Sequence, residues 1–598
     1  MSQQENNEMQ QHFYRASAVD FIKIPSSPIA YWVSDRVRSL FSECKKIDDI
    51  AVLRTGMHTG NNERFLRYWF EVSSSNIGFG YKTSLEASKS DLTWFPYNKG
   101  GSFRKWFGNN EYVVNWKHDG LEIHEFHKLP LDYNGAPVRA KKFQFKQSLT
   151  WTATSSSYFG IRHSDHGFLF DVKGSSGFCE EKYHYPLLGY LVTSMVSHFL
   201  RAINPSIEFQ NGDVKVLPIC SHFESAAFRE KASNIVRQAI SIARSDWDSY
   251  ESSWGFTRSP MSMTNYDLKV TYQHLRTRWS ETILEMQRLE EENNSQFIDA
   301  YGLQDEITPE VPLSEITLTC NPHYRYGGNL TDEEREARLQ SDTICELISY
   351  VIGCMMGRYS LDREGLVYAH AGNEGFKALV EEGAYATFAA DEDGILPLST
   401  DSWFEDDVAT RLEAFVCTVW GTETLEENLQ FIADSLCLAA IKPVKKGGET
   451  SRETLRRYLS TQFFKDHMKT YKKRPIYWLF SSGKEKAFEC LVYLHRYNEA
   501  TLPRMRTEYV TPLLGQMAGR IERLRLQQTE ASTAEAKRIG KEIDSLIKQL
   551  AELRAFDDQL KHHADMRITL DLDDGVKVNY GKFGSLLSDV KAITGDKG

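Results

Sequence analysis

The chain has 598 residues, of which 41% are hydrophobic and 26% charged, a balance ordinary for a globular protein with a sizeable core. At this length we expect about three to five domains or subdomains. The formal net charge of −11 argues against a protein that coats nucleic acid with its whole surface, so any DNA-binding groups must be concentrated on one face. The nine cysteines form no CxxC pair, a pattern that is typical of reduced cytosolic thiols and predicts no zinc site.

The first residues give no sign of membrane targeting. Residues 1–14 are rich in Gln, Asn and Glu and lack the apolar core of a signal sequence, so we predict a disordered tail. The longest apolar segment, residues 187–203, contains Ser, Thr, His and Arg and is too short to span a bilayer. We therefore expect a cytoplasmic protein with no membrane partner.

Residues 15–222 consist of short aromatic or β-branched segments separated by Gly, Asn and Ser, which predicts a β-rich domain. A helix near its end should stop at Asn204-Pro205, because proline cannot continue a helix. Residues 223–300 change to three- and four-residue apolar spacing, which predicts a helical spacer with helices over Glu224–Tyr250 and Tyr266–Ala300.

The rest of the chain is predicted to mix helices and strands. Residues 301–502 form a mixed domain with helices near Asp332–Met356 and Ser451–Tyr471. Apolar residues spaced along residues 503–566 predict a coiled-coil-like helical hairpin with a polar tip at Gln527–Ser532. Residues 567–598 are predicted to be a β/α tail that begins with the strand DLDDGVKVNY. The predicted fold class is α+β.

The stretch from Trp94 to Gly120 carries the densest group of functional side chains. Glycines let its backbone turn or approach a ligand closely, and Asn or Arg side chains can pair with base edges. Two interpretations stay open: an aromatic β core with solvated lysines, or rings and cations that bind nucleic acid. Its aromatic residues are Trp94, Phe95, Tyr97, Phe103, Trp106, Phe107, Tyr112 and Trp116.

A basic run favours DNA. Between Pro96 and Thr150, nine Lys or Arg residues face five Asp or Glu residues, a local net charge of +4. Phosphate contacts fix the register of a protein on DNA, whereas other side chains read base edges. We assign phosphate contacts to the lysines near residue 141 and base reading to Arg104 or Asn109. The candidate DNA-binding residues are Lys99, Arg104, Lys105, Asn109, Asn110, Lys117, Arg139, Lys141, Lys142 and Lys146.

The stretch WFPYNKGGSFRKWFGNNEYVVNWKHDG resembles the PglX family of BREX-type phage-defence adenine methyltransferases, in the half beyond the catalytic core. Five more long strings extend the resemblance over nearly the whole chain, at Asp246–Phe256, Leu303–Leu318, Gly394–Asp407, Lys473–Asn498 and Ile568–Gly584. Residues Ile47–Val72 and Leu187–Ile219 also resemble the opening and closing parts of target recognition domains in type I specificity subunits.

The resemblance implies a DNA target-recognition domain and C-terminal domains, with the methyltransferase core upstream of Phe13–Ser34. We therefore expect the C-terminal half of such an enzyme, as a split gene product or a truncation. Its implied partners are double-stranded DNA, a methyltransferase catalytic half and other BREX defence components. S-adenosylmethionine is implied for the catalytic half, and no cofactor is expected in this chain.

An adenine methyltransferase needs a glycine-rich cofactor loop and an (Asn/Asp)-Pro-Pro-(Tyr/Phe) element that holds the extruded base. The nearest glycine pattern, Gly78-Phe79-Gly80, opens no convincing helix and predicts a turn. The nearest tetrapeptide is Asn321-Pro322-His323-Tyr324, after a predicted strand at Ile316–Cys320, and His323 replaces the second proline. We expect a structural turn there, and no catalytic, cofactor-binding or metal-binding residue in the chain.

Two other function classes stay open. Asp171, Glu180 and Lys182 have an order that could give a metal-dependent nuclease its carboxylates and lysine, although solvated loop charges are the simpler interpretation. The third possibility is a scaffold that binds no DNA and holds defence proteins through its helical hairpin. Weak patterns around His124-His127, His163-His166 and Asp391–Gly394 lack the spacing of zinc or calcium sites.

Overall fold

A computed structural model of the chain describes residue 17 and residues 21–155, 158–262, 267–398, 403–444 and 448–595. The chain divides into two compact units. The first comprises residues 1–66, 76–247 and 278–328, and the second comprises residues 67–75, 248–277 and 329–598. Both contain helices and small sheets, so the predicted mixture of α and β structure is confirmed.

The strands are short, and most belong to the first unit. In chain order they are β1 Lys45–Lys46, β2 Ala51–Arg54, β3 Leu66–Tyr68, β4 Trp94–Asn98, β5 Tyr112–Asn115, β6 Ser148–Trp151, β7 Ile161–Ser164, β8 Leu169–Phe170, β9 Ser176–Cys179, β10 Pro218–Ile219, β11 Ile395–Pro397, β12 Tyr477–Ser481 and β13 Glu489–Tyr493.

The α-helices of the first unit come largely after its strands. In chain order, the helices up to residue 325 are α1 Asp35–Glu43, α2 Asn62–Phe65, α3 Ser84–Ser88, α4 Lys117–Phe126, α5 Glu181–Leu191, α6 Ser194–Ile203, α7 Asn211–Lys215, α8 Ala226–Trp247, α9 Leu268–Tyr301 and α10 Pro322–Arg325. The division between the units falls within α9.

The second unit is mainly helical. Its remaining α-helices are α11 Asp332–Met355, α12 Phe376–Glu381, α13 Val408–Trp420, α14 Leu425–Ala439, α15 Ser451–Tyr458, α16 Phe464–Thr470, α17 Thr501–Arg504, α18 Thr511–Glu530, α19 Thr533–Asp565, α20 Gly575–Gly581 and α21 Val590–Thr594. Two π-helical turns, Leu459–Phe463 and Met505–Val510, connect α15 to α16 and α17 to α18.

Two sheets organise the first unit. The first has the order β2-β9-β6-β7, with every neighbouring pair antiparallel. In the second, β4 pairs antiparallel with β5 and parallel with β8, so that Trp94 lies opposite Asn115 and Tyr97 opposite Leu169. A large core built from α1, the first sheet, α5, α6, α8 and α9 includes Trp151, and a smaller core lies on the second sheet around Trp116.

The predicted helices of the first unit agree closely with those observed. The predictions over Glu224–Tyr250 and Tyr266–Ala300 correspond to α8 and α9. Helix α6 ends at Ile203, and the extended φ and ψ of its cap Asn204 stop it one residue before Pro205, as predicted. The segment Ile316–Cys320 was predicted to be a strand, and this is wrong because it has no strand pairing and ends in a turn.

In the second unit, β13 lies between β11 and β12 in an antiparallel sheet. Helices α18 and α19 form the hairpin expected from the apolar spacing, joined at residues 531–532. The segment DLDDGVKVNY was predicted to be a strand, and this is wrong. It forms a 3₁₀ turn at Leu572–Asp574 followed by α20. Among the described residues, no helix is long and apolar enough to cross a membrane.

Candidate nucleic-acid interface

The aromatic residues of the Trp94–Gly120 stretch mostly form core. Strands β4 and β5 are adjacent antiparallel strands, and residues 99–111 connect them. The rings of Trp94, Tyr97, Trp106 and Trp116 are each at most 1% exposed, so they pack inside the first unit and present no face for stacking on bases. For these rings the core interpretation is correct.

Arg104 is held by two other segments of the first unit. Its guanidinium donates to Thr319 Oγ1 at 2.5 Å and lies 3.4 Å from Asp246 Oδ2. It also stacks over the ring of Trp247 with 4.9 Å to the ring centroid. The Asp246 carboxylate in turn accepts the backbone N–H groups of Thr319 and Cys320 at 2.7 and 2.9 Å. Arg104, 4% exposed, therefore links the loop to the end of α8 and to residues 319–320.

Lys105 forms a buried ion pair. Its ammonium donates to Glu290 Oε2, while the indole N–H of Trp106 donates to Glu290 Oε1 at 2.8 Å. Burial raises the pKa of the Glu290 carboxyl, and the neighbouring Lys105 opposes that rise. Both side chains are less than a tenth exposed. A buried charge without a partner is strongly destabilising, so this pair fixes the loop against α9.

Lys99 and Asp171 form a similar contact at the other end of the loop. Lys99 Nζ lies 2.6 Å from Asp171 Oδ2, which also accepts the Tyr97 hydroxyl at 2.9 Å. Asp171 is fully buried, and its other oxygen accepts the backbone N–H of Lys173 at 2.8 Å. The Asp171 carboxylate is thus a structural anchor of the loop.

The remaining candidate residues differ in exposure. Asn109 and Asn110 are buried, and the Asn109 amide donates to the Ser102 carbonyl at 2.9 Å. Lys117 and Arg139 are half-buried. Lys141 is also half-buried and pairs with Asp119 at 3.2 Å. Of the ten predicted DNA-binding residues, only Lys142 and Lys146 are exposed.

Lys142, Lys146 and Arg54 all make cation–π contacts with the ring of Phe143, and Arg54 was not among the predicted residues. The ammonium groups of Lys142 and Lys146 lie 5.2 and 5.8 Å from the centroid of the Phe143 ring. The guanidinium of Arg54, an exposed residue of β2, lies 5.3 Å from the same centroid. Phe143 itself packs on Phe178, with 4.8 Å between ring centroids. We call Arg54, Lys142, Phe143 and Lys146 the basic cluster.

The three cations of the basic cluster form no ion pair with any residue that the structure describes. Cation–π contact at these distances holds the stems of the side chains while the charges stay in water. Arg54 was missed because it lies 88 residues before Lys142. The alternation of buried Ala51 and Leu53 with exposed Val52 and Arg54 marks it as an outward residue of a strand, but no sequence pattern connects it to Phe143.

The candidate nuclease residues do not assemble. Asp171 is buried as an anchor of the loop, whereas Glu180 and Lys182 are exposed and pair with each other at 2.8 Å. Across the described parts of the chain, no group of three or more His, Cys, Asp or Glu side chains is arranged to hold a metal ion. Two of the candidate histidines make hydrogen bonds instead: His127 with the Thr59 carbonyl, and His163 with both His184 and Asp165.

No family model matches the chain, but two curated proteins do. The chain is 49% identical over 583 residues to the adenine-specific methyltransferase BrxX of Escherichia coli O9:H4 (strain HS). It is 37% identical over 601 residues to the adenine-specific methyltransferase PglX of Lacticaseibacillus casei (strain Zhang). The chain resembles adenine-specific methyltransferases almost from end to end. The matches cover 96% and 98% of this chain but 46% of each relative, so the chain spans about half the length of the curated relatives it matches.

An (Asn/Asp)-Pro-Pro-(Tyr/Phe) element must leave its polar side-chain groups free to bind the extruded adenine. In the tetrapeptide Asn321–Tyr324 these groups are not free. Asn321 is fully buried, and its side-chain amide donates to the Leu313 and Ile316 carbonyls at 2.7 and 2.8 Å. Its side-chain oxygen accepts the His323 N–H and caps α10. The Tyr324 hydroxyl donates to the Phe103 carbonyl. These groups are already used by the fold, so the residues do not fit a site that holds the amino group of an adenine.

The glycine pattern does not fit a cofactor loop either. Gly78-Phe79-Gly80 lies in an irregular segment before α3, a helix of five residues that begins at Ser84. A Cβ at position 78 would lie 2.4 Å from the ring of Phe95, so this glycine permits close packing on the second sheet. A cofactor loop instead presents its glycines to a phosphate or nucleoside at the start of a helix.

Proposed function

We propose that this chain is the DNA-recognition half of a BREX-type phage-defence enzyme that methylates adenine at N6. It acts with a catalytic half that binds S-adenosylmethionine and with other BREX components. The observation that carries the proposal is the similarity to BrxX and PglX, which extends over 96% and 98% of the chain. The unsuitable geometry at Asn321–Tyr324 supports a catalytic site outside the described residues.

The basic cluster supports a DNA-binding role. A protein that binds duplex DNA needs cations that are free to replace counterions on the phosphates, and Arg54, Lys142 and Lys146 are exposed and form no ion pair with described residues. Lys117 and Arg139, both half-buried, are secondary candidates for phosphate contact. We assign the cluster to the DNA backbone.

Arg104, Lys105 and Lys99 have a structural role, unlike the cations of the basic cluster. Each is tied to a buried carboxylate, at Asp246, Glu290 and Asp171 respectively. Releasing such a charge to meet a base would leave an unpaired buried anion, which costs several kcal/mol, about 3–5. We infer that these three cations, with Asn109, position the loop between β4 and β5 and do not read bases directly.

Transfer of labelled methyl groups tests the proposal. The purified chain should bind duplex DNA but transfer no methyl group from S-adenosylmethionine, and adding the catalytic half of BrxX should restore adenine methylation. Labelling by this chain alone that is abolished by Asn321→Ala would overturn the assignment of catalysis to another half. Magnesium-dependent cleavage would favour a nuclease, and failure to bind any duplex would favour a scaffold.

A further inference from the structure

The connection between α4 and β6, residues 127–147, carries an exposed polar tip as well as Lys142 and Lys146 of the basic cluster. The tip, residues 130–137 with the sequence PLDYNGAP, contains one acid, Asp132, and no Lys or Arg. It therefore adds no attraction for phosphates. Base edges, in contrast, are read by polar side chains that need not be charged.

Hydrogen bonds hold the tip beside the basic cluster. The Asn134 side-chain oxygen accepts the backbone N–H of Lys141, which directly precedes the first lysine of the cluster, at 3.3 Å. The Pro137 carbonyl accepts the backbone N–H of His58 at 3.0 Å, in the segment that follows β2. Because β2 ends with Arg54, the tip is bonded to both segments that supply the cations of the cluster.

The tip is also fixed internally. The backbone N–H of Gly135 donates to the Val138 carbonyl at 3.1 Å, and the Tyr133 hydroxyl donates to the Ala136 carbonyl at 3.1 Å. Val138 is fully buried in the core on the second sheet, which anchors the end of the tip. Side chains on a preorganised segment lose little conformational freedom on binding, so the exposed groups of the tip are arranged for recognition.

Asn134 gives the tip a free amide group. Its side chain is exposed, and its side-chain nitrogen donates to no residue that the structure describes. Its side-chain oxygen has two lone pairs, of which the bond from Lys141 occupies one. One acceptor position and two N–H donors thus remain available. An asparagine amide with these groups free pairs bidentately with N6 and N7 of adenine in the major groove.

We propose that Asn134 is a specificity-determining residue that reads one adenine of the recognised DNA sequence, next to the phosphates that the basic cluster binds. Its role rests on the DNA-recognition function proposed above. Arg104 and Asn109, which the sequence suggested as base readers, are buried and hold the loop between β4 and β5. Asn134 instead combines exposure, a free amide and a fixed position beside the cations of the cluster.

Selection from a pool of randomised duplexes tests this role. The full chain and its variants Asn134→Ala and Asn134→Asp each enrich bound duplexes, which are then sequenced. The unaltered chain should enrich one motif. Asn134→Ala should weaken the preference for adenine at one position of that motif by about five- to a hundredfold, the value of one bidentate pair. Its salt dependence should be unchanged, because no phosphate contact is lost. Asn134→Asp should prefer cytosine at the same position, because a carboxylate only accepts and the N4 amino group of cytosine donates.

Asn329, an exposed residue of the second unit, provides the control, and Asn329→Ala should enrich the same motif as the unaltered chain. If the unaltered chain binds no duplex or enriches no motif, the proposed recognition function fails, and the role of Asn134 fails with it. If the unaltered chain enriches a motif that Asn134→Ala enriches with equal discrimination, or if the lost preference lies at a G·C pair, only the role of Asn134 is overturned.

Discussion

At the scale of single residues, lysines that are close in sequence have different partners. Lys141 pairs with Asp119, whereas Lys142 and Lys146 extend over Phe143 together with Arg54. A cation that already has a carboxylate partner releases few counterions from DNA, because its charge is compensated before binding. Affinity for duplex DNA should therefore depend on Arg54, Lys142 and Lys146 more than on Lys141.

Replacing Arg54, Lys142 and Lys146 by Gln should weaken binding to every duplex, whatever its sequence. The slope of log affinity against log salt should fall by about 0.9 for each phosphate that the variant no longer neutralises. Salt titrations by fluorescence anisotropy measure it. The matched control replaces three exposed lysines of α19, namely Lys537, Lys541 and Lys548, and should leave the slope unchanged. Equal slopes in both variants would contradict the assignment.

The Lys105–Glu290 pair gives a second residue-scale prediction, on stability. Lys105→Met should lower the free energy of unfolding of the first unit by about 3–5 kcal/mol, because Glu290 remains buried without a counter-charge. Lys105→Met/Glu290→Gln should recover much of that loss. Thermal unfolding followed by circular dichroism compares the two variants.

An exposed ion pair provides the control for that comparison. Lys182 and Glu180 are half or more exposed, so Lys182→Met should cost at most about 1 kcal/mol. Equal destabilisation by the single and the double variant at positions 105 and 290 would show that the charge pair does not determine the loss.

At the scale of elements, the helical hairpin follows directly from its apolar spacing. Ile521 and Leu524 of α18 pack on Ile539, Ile543 and Leu546 of α19 in one cluster. Leu524 is 9% exposed, whereas its neighbour Leu526 is 70% exposed. Two leucines two residues apart on one helix thus differ almost completely in burial.

Leu524→Ala should therefore destabilise the hairpin by about 2–5 kcal/mol, because burial is reduced and a cavity remains. Leu526→Ala should change stability by less than about 0.5 kcal/mol, as expected of a surface position. Limited proteolysis within residues 511–565 measures local opening. Similar protease sensitivity in the two variants would contradict the packing of α18 on α19.

Elements with long apolar periodicity could be predicted from the sequence, and short ones could not. Helix α9 was predicted to within two residues at each end because its apolar pattern extends over 34 residues. In DLDDGVKVNY the alternation around Val576 and Val578 suggested a strand. The structure buries Val576 and Tyr580, four residues apart, and exposes Val578, so the short segment follows the helical period. Such a short alternation is compatible with both periods.

The burial of the candidate site residues could not be predicted either, because their partners are far away in the sequence. The carboxylates that hold Arg104 and Lys105 lie 142 and 185 residues further along the chain. No local pattern reveals such a partner, so a buried lysine and a solvated lysine look the same in the sequence. The aromatic content correctly indicated a β core for Trp94 and Trp116, while the exposure of Lys142 and Lys146 became clear only from the fold.

At the scale of the whole molecule, buried ionisable groups of the second unit predict its response to pH. Burial and the neighbouring Asp391 raise the pKa of Asp393 from 3.8 to about 8. Tyr509 and Arg504 also face this carboxyl, at 3.2 and 3.7 Å. Because the fold favours the protonated form, this contribution to stability is complete below pH 3.8 and is lost as the pH rises through 8.

Asp393→Asn should remove this loss, so that the unfolding temperature of the variant falls less between about pH 4 and 8 than that of the unaltered chain. Scanning calorimetry over that range tests it, with exposed Asp544→Asn as the control. Below pH 6.5 a second effect begins, because burial lowers the pKa of His467 and His495 to about 3 and stability falls as the pH falls. Parallel profiles for Asp393→Asn and Asp544→Asn would contradict the prediction.

The buried pairs of the loop between β4 and β5 limit how such a chain can diversify. Lys99, Arg104 and Lys105 each depend on an acid from a different segment: Asp171, the end of α8, and α9. Recombination that exchanges residues 99–111 alone between relatives would separate cations from their anions. A new loop sequence is then compatible only if Asp171, Asp246 and Glu290 are exchanged with it or already match it. Crossovers that keep these pairs together exchange residues 99–290 as one block. The exposed Arg54, Lys142 and Lys146 have no buried acidic partner and can each mutate independently.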